Sequence, residues 1–99
     1  MTAPIHHPRS TSESKRLRKE VGEWLRTHRQ RAGLSQLDLA KLLELKYYTF
    51  VSQVENGFGR VPSELMEPWA RALGVSPAEF AKRLLRYYDP ETYRLVFRK

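Results

Sequence analysis

The 99-residue sequence contains no cysteine. That absence excludes a disulfide scaffold, a thiolate zinc site and a cysteine nucleophile. No run of apolar residues is longer than three, so no segment reads as a membrane-spanning helix. Residues 1–16 hold no apolar stretch of the kind at the centre of a secretory leader. The expected compartment is therefore the cytoplasm. Histidine is scarce: His6 and His7 are adjacent near the start, and His28 stands alone on a basic stretch. No carboxylate pair, phosphate-cradling glycine loop or nucleophile set accompanies them. No catalytic residue, metal ligand or cofactor site is assigned, and an enzyme is not expected.

Acidic residues are also in short supply. Eleven Asp and Glu face eighteen Lys and Arg, a net charge of +7. On a chain this small that excess points to a polyanionic partner, with nucleic acid ahead of an acidic membrane or protein. Apolar residues make up 40%, ordinary for a globular domain, and the length leaves room for one domain only.

Residues 1–12 carry two prolines and several small polar residues and read as a flexible arm. From about Glu13, Leu17, Val21, Trp24, Leu25, His28 and Ala32 recur at intervals of three and four, the spacing of an amphipathic helix closed by Gly33. The basic run Lys15–Lys19 on that helix reads as a solvated face, with a nucleic-acid contact as the alternative. Ser35 and Asp38 form a capping box that opens a second helix, Gln36 to about Leu43, burying Leu39, Ala40 and Leu43.

Lys46–Val51 has the aromatic and β-branched content of a strand. A lone strand has no partner in a helical pattern, however, and Asn56-Gly57 supplies a helix stop. A third helix is expected there, with Phe50 and Phe58 either packed inward or standing out. Leu65, Met66, Trp69 and Leu73 trace a fourth helix that ends at Gly74. Pro68 either sits in its first turn or bends it. Ser76-Pro77 and Asp89-Pro90 open two more helices. The expected fold is all-α: five helices in a compact domain over 13–86, and a short sixth in an extension, 87–99.

Two short helices joined tightly, with a glycine stop after the second, are what a helix-turn-helix needs. Gly33-Leu-Ser-Gln36, Leu39-Ala40, Val51-Ser-Gln-Val-Glu-Asn-Gly57, Pro62 and Ala72-Leu-Gly-Val75 resemble the phage repressor/Cro-like family, the XRE group of bacterial and phage regulators. The resemblance covers about residues 21–80. The sequence departs from it at Glu44, where the family usually has glycine, and by one extra residue within Glu44–Tyr47. Either the turn is longer or the recognition helix starts differently.

The resemblance implies a DNA-binding regulator and assigns roles residue by residue. Thr49 and Gln53 would face base edges, flanked by Tyr48 and Ser52. Chemically this fits, because glutamine can bond adenine bidentately and threonine offers a hydroxyl and a methyl. Gln36 at a helix start, Tyr47, Asn56 and Arg60 would hold phosphates. Arg29 would pair with Glu55 as a structural tie. The partner expected is operator DNA, bound by a homodimer that represses by steric blocking. The apolar and aromatic residues of 87–99 would supply the dimer interface or complete the core. The alternative is an antitoxin or adaptor that binds a second protein through this segment.

Overall fold

The computed structural model describes residues 11–98. The expected arm thus lies mostly outside the described residues, with His6 and His7. Thr11 and Ser12 do not belong to it: they form the first turn of α1.

Six helices follow one another, with no strand among the described residues: α1 (Thr11–Arg31), α2 (Gln36–Leu42), α3 (Thr49–Glu55), α4 (Ser63–Leu73), α5 (Pro77–Tyr88) and α6 (Pro90–Phe97). The expected apolar stripe of α1 buries Val21 and Leu25 completely and Trp24 and His28 partly. Ala32 lies beyond the helix end and is exposed. The His28 ring packs on Trp24, with centroids 4.5 Å apart. Partial burial, then the charges of Arg31 and Arg83, hold its pKa below the ordinary histidine value.

Four helices close in the same way. After α1, the N–H of Gly33 donates to Gln30 O and that of Leu34 to Arg29 O. This paired pattern is a Schellman motif, which requires a left-handed residue one step past the cap. Gly57 after α3 and Gly74 after α4 repeat it. After α2 the motif is intact, with Glu44 N–H to Lys41 O and Leu45 N–H to Ala40 O, but the left-handed residue is Glu44, at φ 56°. It is the one non-glycine residue with positive φ among those described. The departure noted in the sequence is thus a strained turn, since a β-carbon in this region costs about 1–2 kcal/mol.

The turn then runs through Leu45–Tyr48 and α3 begins at Thr49, without a side-chain cap. Tyr47 O and Tyr48 O accept the N–H groups of Phe50 and Val51 instead. At α2, Ser35 and Asp38 complete the expected capping box, each side chain taking the other's backbone N–H at 2.9 Å. Pro68 lies at the sixth position of α4, past the first turn, so it withholds one hydrogen bond from the helix interior.

The core is assembled from five helices. Trp69 of α4 and Phe80 of α5 are its largest fully buried side chains, packed among Leu25, Leu39, Val51, Val54 and Leu84. Phe50 turns inward, its ring edge-on to Trp69 at 6.4 Å, whereas Phe58 stands out. Helix α5 runs on to Tyr88, whose hydroxyl accepts the Val61 N–H at 3.1 Å deep in the domain. α6 packs on α5 and buries none of its own residues; Leu95 and Val96 are 58% and 61% exposed. The apolar end of the chain therefore does not complete the core.

Candidate nucleic-acid interface

The site is built on α3. Its seven residues place Val51, Val54 and Glu55 inward and leave Thr49 and Gln53 exposed, one turn apart on the opposite side. Ser52 is half-buried beside them. Tyr48, just before the helix, is exposed, as is Tyr47, whose ring lies under the Lys46 ammonium at 5.4 Å. The candidate base-facing residues thus share one solvent-facing surface, and none of them props the core.

Two glycines fix where α3 sits. A β-carbon on Gly22 would stand 2.2 Å from the Glu55 carbonyl oxygen and 2.9 Å from that of Val54. A β-carbon on Gly57 would meet the Lys19 backbone at 2.9 Å. Helix α1 and the C-terminal end of α3 therefore touch backbone to backbone, a closeness that only hydrogen atoms at these positions allow.

A buried carboxylate ties the same end of α3 to its neighbours. Glu55 is 1% exposed. Arg29, itself 7% exposed, grips it bidentately: Nε donates to Oε2 at 2.7 Å and Nη2 to Oε1 at 3.0 Å. Arg29 Nη1 also donates to Leu34 O at 2.8 Å, at the end of α1. Gln36, the first residue of α2, donates its side-chain N–H to Glu55 Oε1 at 3.0 Å. Arg26 approaches the same oxygen at 3.6 Å and donates to Asn56 Oδ1 at 2.6 Å. Asn56 in turn donates to Ser52 Oγ at 3.3 Å. Three helices thus converge on one carboxylate.

Of the candidate phosphate-holding residues, Gln36 and Asn56 meet in this network, at opposite ends of the Glu55–Arg26 link. Tyr47 lies outside it, on the turn before α3. Arg60 is placed elsewhere, its guanidinium 4.6 Å over the Tyr88 ring of α5. Arg26 and Gly22 carry no role in the sequence reading. Arg26 lies one turn before Arg29 on the same side of α1, and a glycine inside a helical pattern usually marks a close approach. Those signals were available in the sequence. Among the described residues, no three His, Asp or Glu side chains gather as a metal site, and no helix is long and apolar enough to cross a membrane.

The architecture agrees with a comparison of the sequence with known families. Residues 20–84, about two thirds of the chain, match the family described as a helix-turn-helix domain. No curated protein matches the chain. Within the matched span lie α2, the strained turn and α3. The chain belongs to this helix-turn-helix domain family, part of the XRE/Cro-like group.

Proposed function

We propose that the protein is a sequence-specific transcriptional regulator that represses by seating a homodimer on an inverted-repeat operator. Membership of a helix-turn-helix family supports DNA binding in general. The observation that carries the finer reading is the division of α3. One side and its C-terminal end are locked to α1 and α2, while Thr49 and Gln53 project on the other. In the major groove these two read base edges, with Tyr48 and Ser52 alongside. Gln36 keeps a second amide hydrogen, beyond the one given to Glu55, for a phosphate oxygen. Asn56, Tyr47 and Arg60 add further backbone contacts, and the net charge of +7 supplies the long-range attraction.

A single recognition helix reads too few base pairs to find one site in a genome, and two related by a two-fold axis double the readout. The exposed Leu95 and Val96 of α6 support a self-complementary interface. Such a regulator works in the cytoplasm.

The test is a binding titration on the promoter DNA upstream of its own gene and on a mixed-sequence duplex. Gln53→Ala is expected to cost about 1–3 kcal/mol on the promoter and little on mixed sequence. Arg60→Ala weakens both alike. Identical behaviour of the two variants rejects the division into base-reading and phosphate-holding residues. A chain ending at Asp89 keeps Tyr88 in the core and is expected to scatter light as a folded monomer with weakened promoter binding. If it remains a dimer, α6 is not the interface. Co-purification of an unrelated small protein on α6 would favour the adaptor reading.

A further inference from the structure

The large side chain that the fold uses least is Phe58, 84% exposed. It follows the glycine that closes α3, and its backbone is pinned there by donation to Gln53 O at 2.8 Å. The ring borders a groove of about 510 Å³ walled by Lys15, Arg18 and Lys19 of α1 and by Asn56 and Gly57. The walls stand close because of the Gly57–Lys19 backbone contact.

The cations differ from their neighbours on the same helix. Arg16 is paired with Glu20 at 2.6 Å and with Glu13 at 3.9 Å. Among the described residues, the side chains of Lys15, Arg18 and Lys19 make no hydrogen bond or ion pair. Three uncompensated positive groups around an apolar ring repel a cation and gain little from a purely apolar occupant. They suit a chain in which negative charges alternate with apolar units. A sugar–phosphate strand has that alternation, with a phosphate about every 3.4 Å of axis. Lys15 and Lys19 lie one helical turn apart, their β-carbons about 5–6 Å from each other, and long side chains at that spacing reach successive phosphates. All three cations precede residue 20, where the family match begins, so the shared fold does not account for them. Asn56 lines the groove and also belongs to the network at the end of α3, which makes the two surfaces continuous.

We propose that this groove holds the sugar–phosphate backbone of duplex DNA flanking the bases faced by α3, with Lys15, Arg18 and Lys19 on phosphates and Phe58 against a deoxyribose. The assignment rests on the DNA-binding reading above and adds to it a contact indifferent to sequence.

The experiment is fluorescence anisotropy of the full chain with a mixed-sequence duplex across a salt series. The variants are Lys15→Gln/Arg18→Gln/Lys19→Gln combined, Phe58→Ala, and Arg16→Gln outside the groove, with thermal melts to show that each is folded. The triple variant is expected to flatten the plot of log affinity against log salt by about 0.9 for each phosphate lost, up to about 2.7 per bound protomer. That is up to about a 40-fold smaller loss of affinity over a fourfold rise in salt. Phe58→Ala weakens binding with the slope unchanged, and Arg16→Gln leaves both near wild type. A triple variant with the wild-type slope overturns the groove while leaving DNA binding intact. So does an Arg16→Gln effect equal to a third of the triple's, since charge anywhere on α1 would then suffice. A defect seen on single-stranded RNA and not on the duplex also overturns it. Failure of the wild-type chain to bind any duplex at low salt removes the DNA-binding reading itself.

Discussion

Replacing Glu55 by glutamine removes one negative charge with almost no change of volume, and it isolates what the buried carboxylate contributes. In the native protein Arg29 makes two charge-assisted bonds to it, and Gln36 makes a third. With glutamine in place, the Arg29 guanidinium stays buried beside a neutral group. Leu34 O remains its other acceptor. Leaving one partner of a buried pair uncompensated costs about 3–5 kcal/mol. The glutamine oxygen still accepts one bond, which returns about 1 kcal/mol. The expected loss is therefore about 2–4 kcal/mol. Domains of this size have about 5–15 kcal/mol of stability, so the variant remains folded in buffer. In urea, with a slope of about 2 kcal/mol per molar, its midpoint should fall by about 1–2 M at unchanged slope. Fluorescence of the buried Trp69 and far-ultraviolet circular dichroism report the transition. A second variant, Arg29→Met with Glu55→Gln, removes the orphaned charge and should recover part of the loss. A midpoint for Glu55→Gln within about 0.3 M of wild type would refute the reasoning. So would a double variant less stable than both singles taken together, because the penalty would not then come from an unpaired guanidinium.

Two further outcomes follow from particular residues. Glu44→Gly relieves the left-handed strain of about 1–2 kcal/mol and concedes up to about 1 kcal/mol of unfolded-chain entropy. The melting temperature should rise by a few degrees, and a fall would mean that the turn is not strained. Burial pushes the Tyr88 phenol above its ordinary value near 10, against the opposing pull of the Val61 hydrogen bond and the Arg60 charge. Its contribution is complete below that ordinary value and is lost as pH rises through the folded pKa. Melting temperature should therefore drop as pH rises past the ordinary phenol value near 10, and Tyr88→Phe should flatten the drop.

Much of the fold was legible because its signals are local. Ser35 with Asp38, Ser76 with Pro77 and Asp89 with Pro90 open α2, α5 and α6 through bonds to residues three positions away, and Gly33, Gly57 and Gly74 close α1, α3 and α4 by a left-handed step. Glu44 was legible only as a missing glycine; its backbone conformation had to be seen. Packing decided what local signals left open. Phe50 and Phe58 are chemically identical, yet one meets Trp69 and the other meets water. Tyr88 belongs to the core through Val61, 27 positions earlier, a pairing that no spacing announces. The Arg29–Glu55 tie was available only through family resemblance, because a charge pair 26 positions apart has no periodicity. Gly22 and Arg26 carry local signals, a glycine inside a helical pattern and a cation one turn before Arg29, but the partners those signals point to appear only where α1 crosses α3.

Glu55 also decides which partner yields when protein and duplex meet. The helix that carries Thr49 and Gln53 and the helix start that carries Gln36 hang from the same carboxylate, with α1 set directly against α3 at Gly22. Their mutual angle cannot be adjusted without exposing a buried ion pair. The protein head is thus the stiff body and the double helix the compliant one. If the protein seats on DNA as the proposed homodimer, a mismatch between its two recognition helices and the natural groove spacing would fall on the DNA, as twist or bend. The ease of that deformation depends on base steps the protein never touches, so operator strength should vary with the sequence between the half-sites as well as within them.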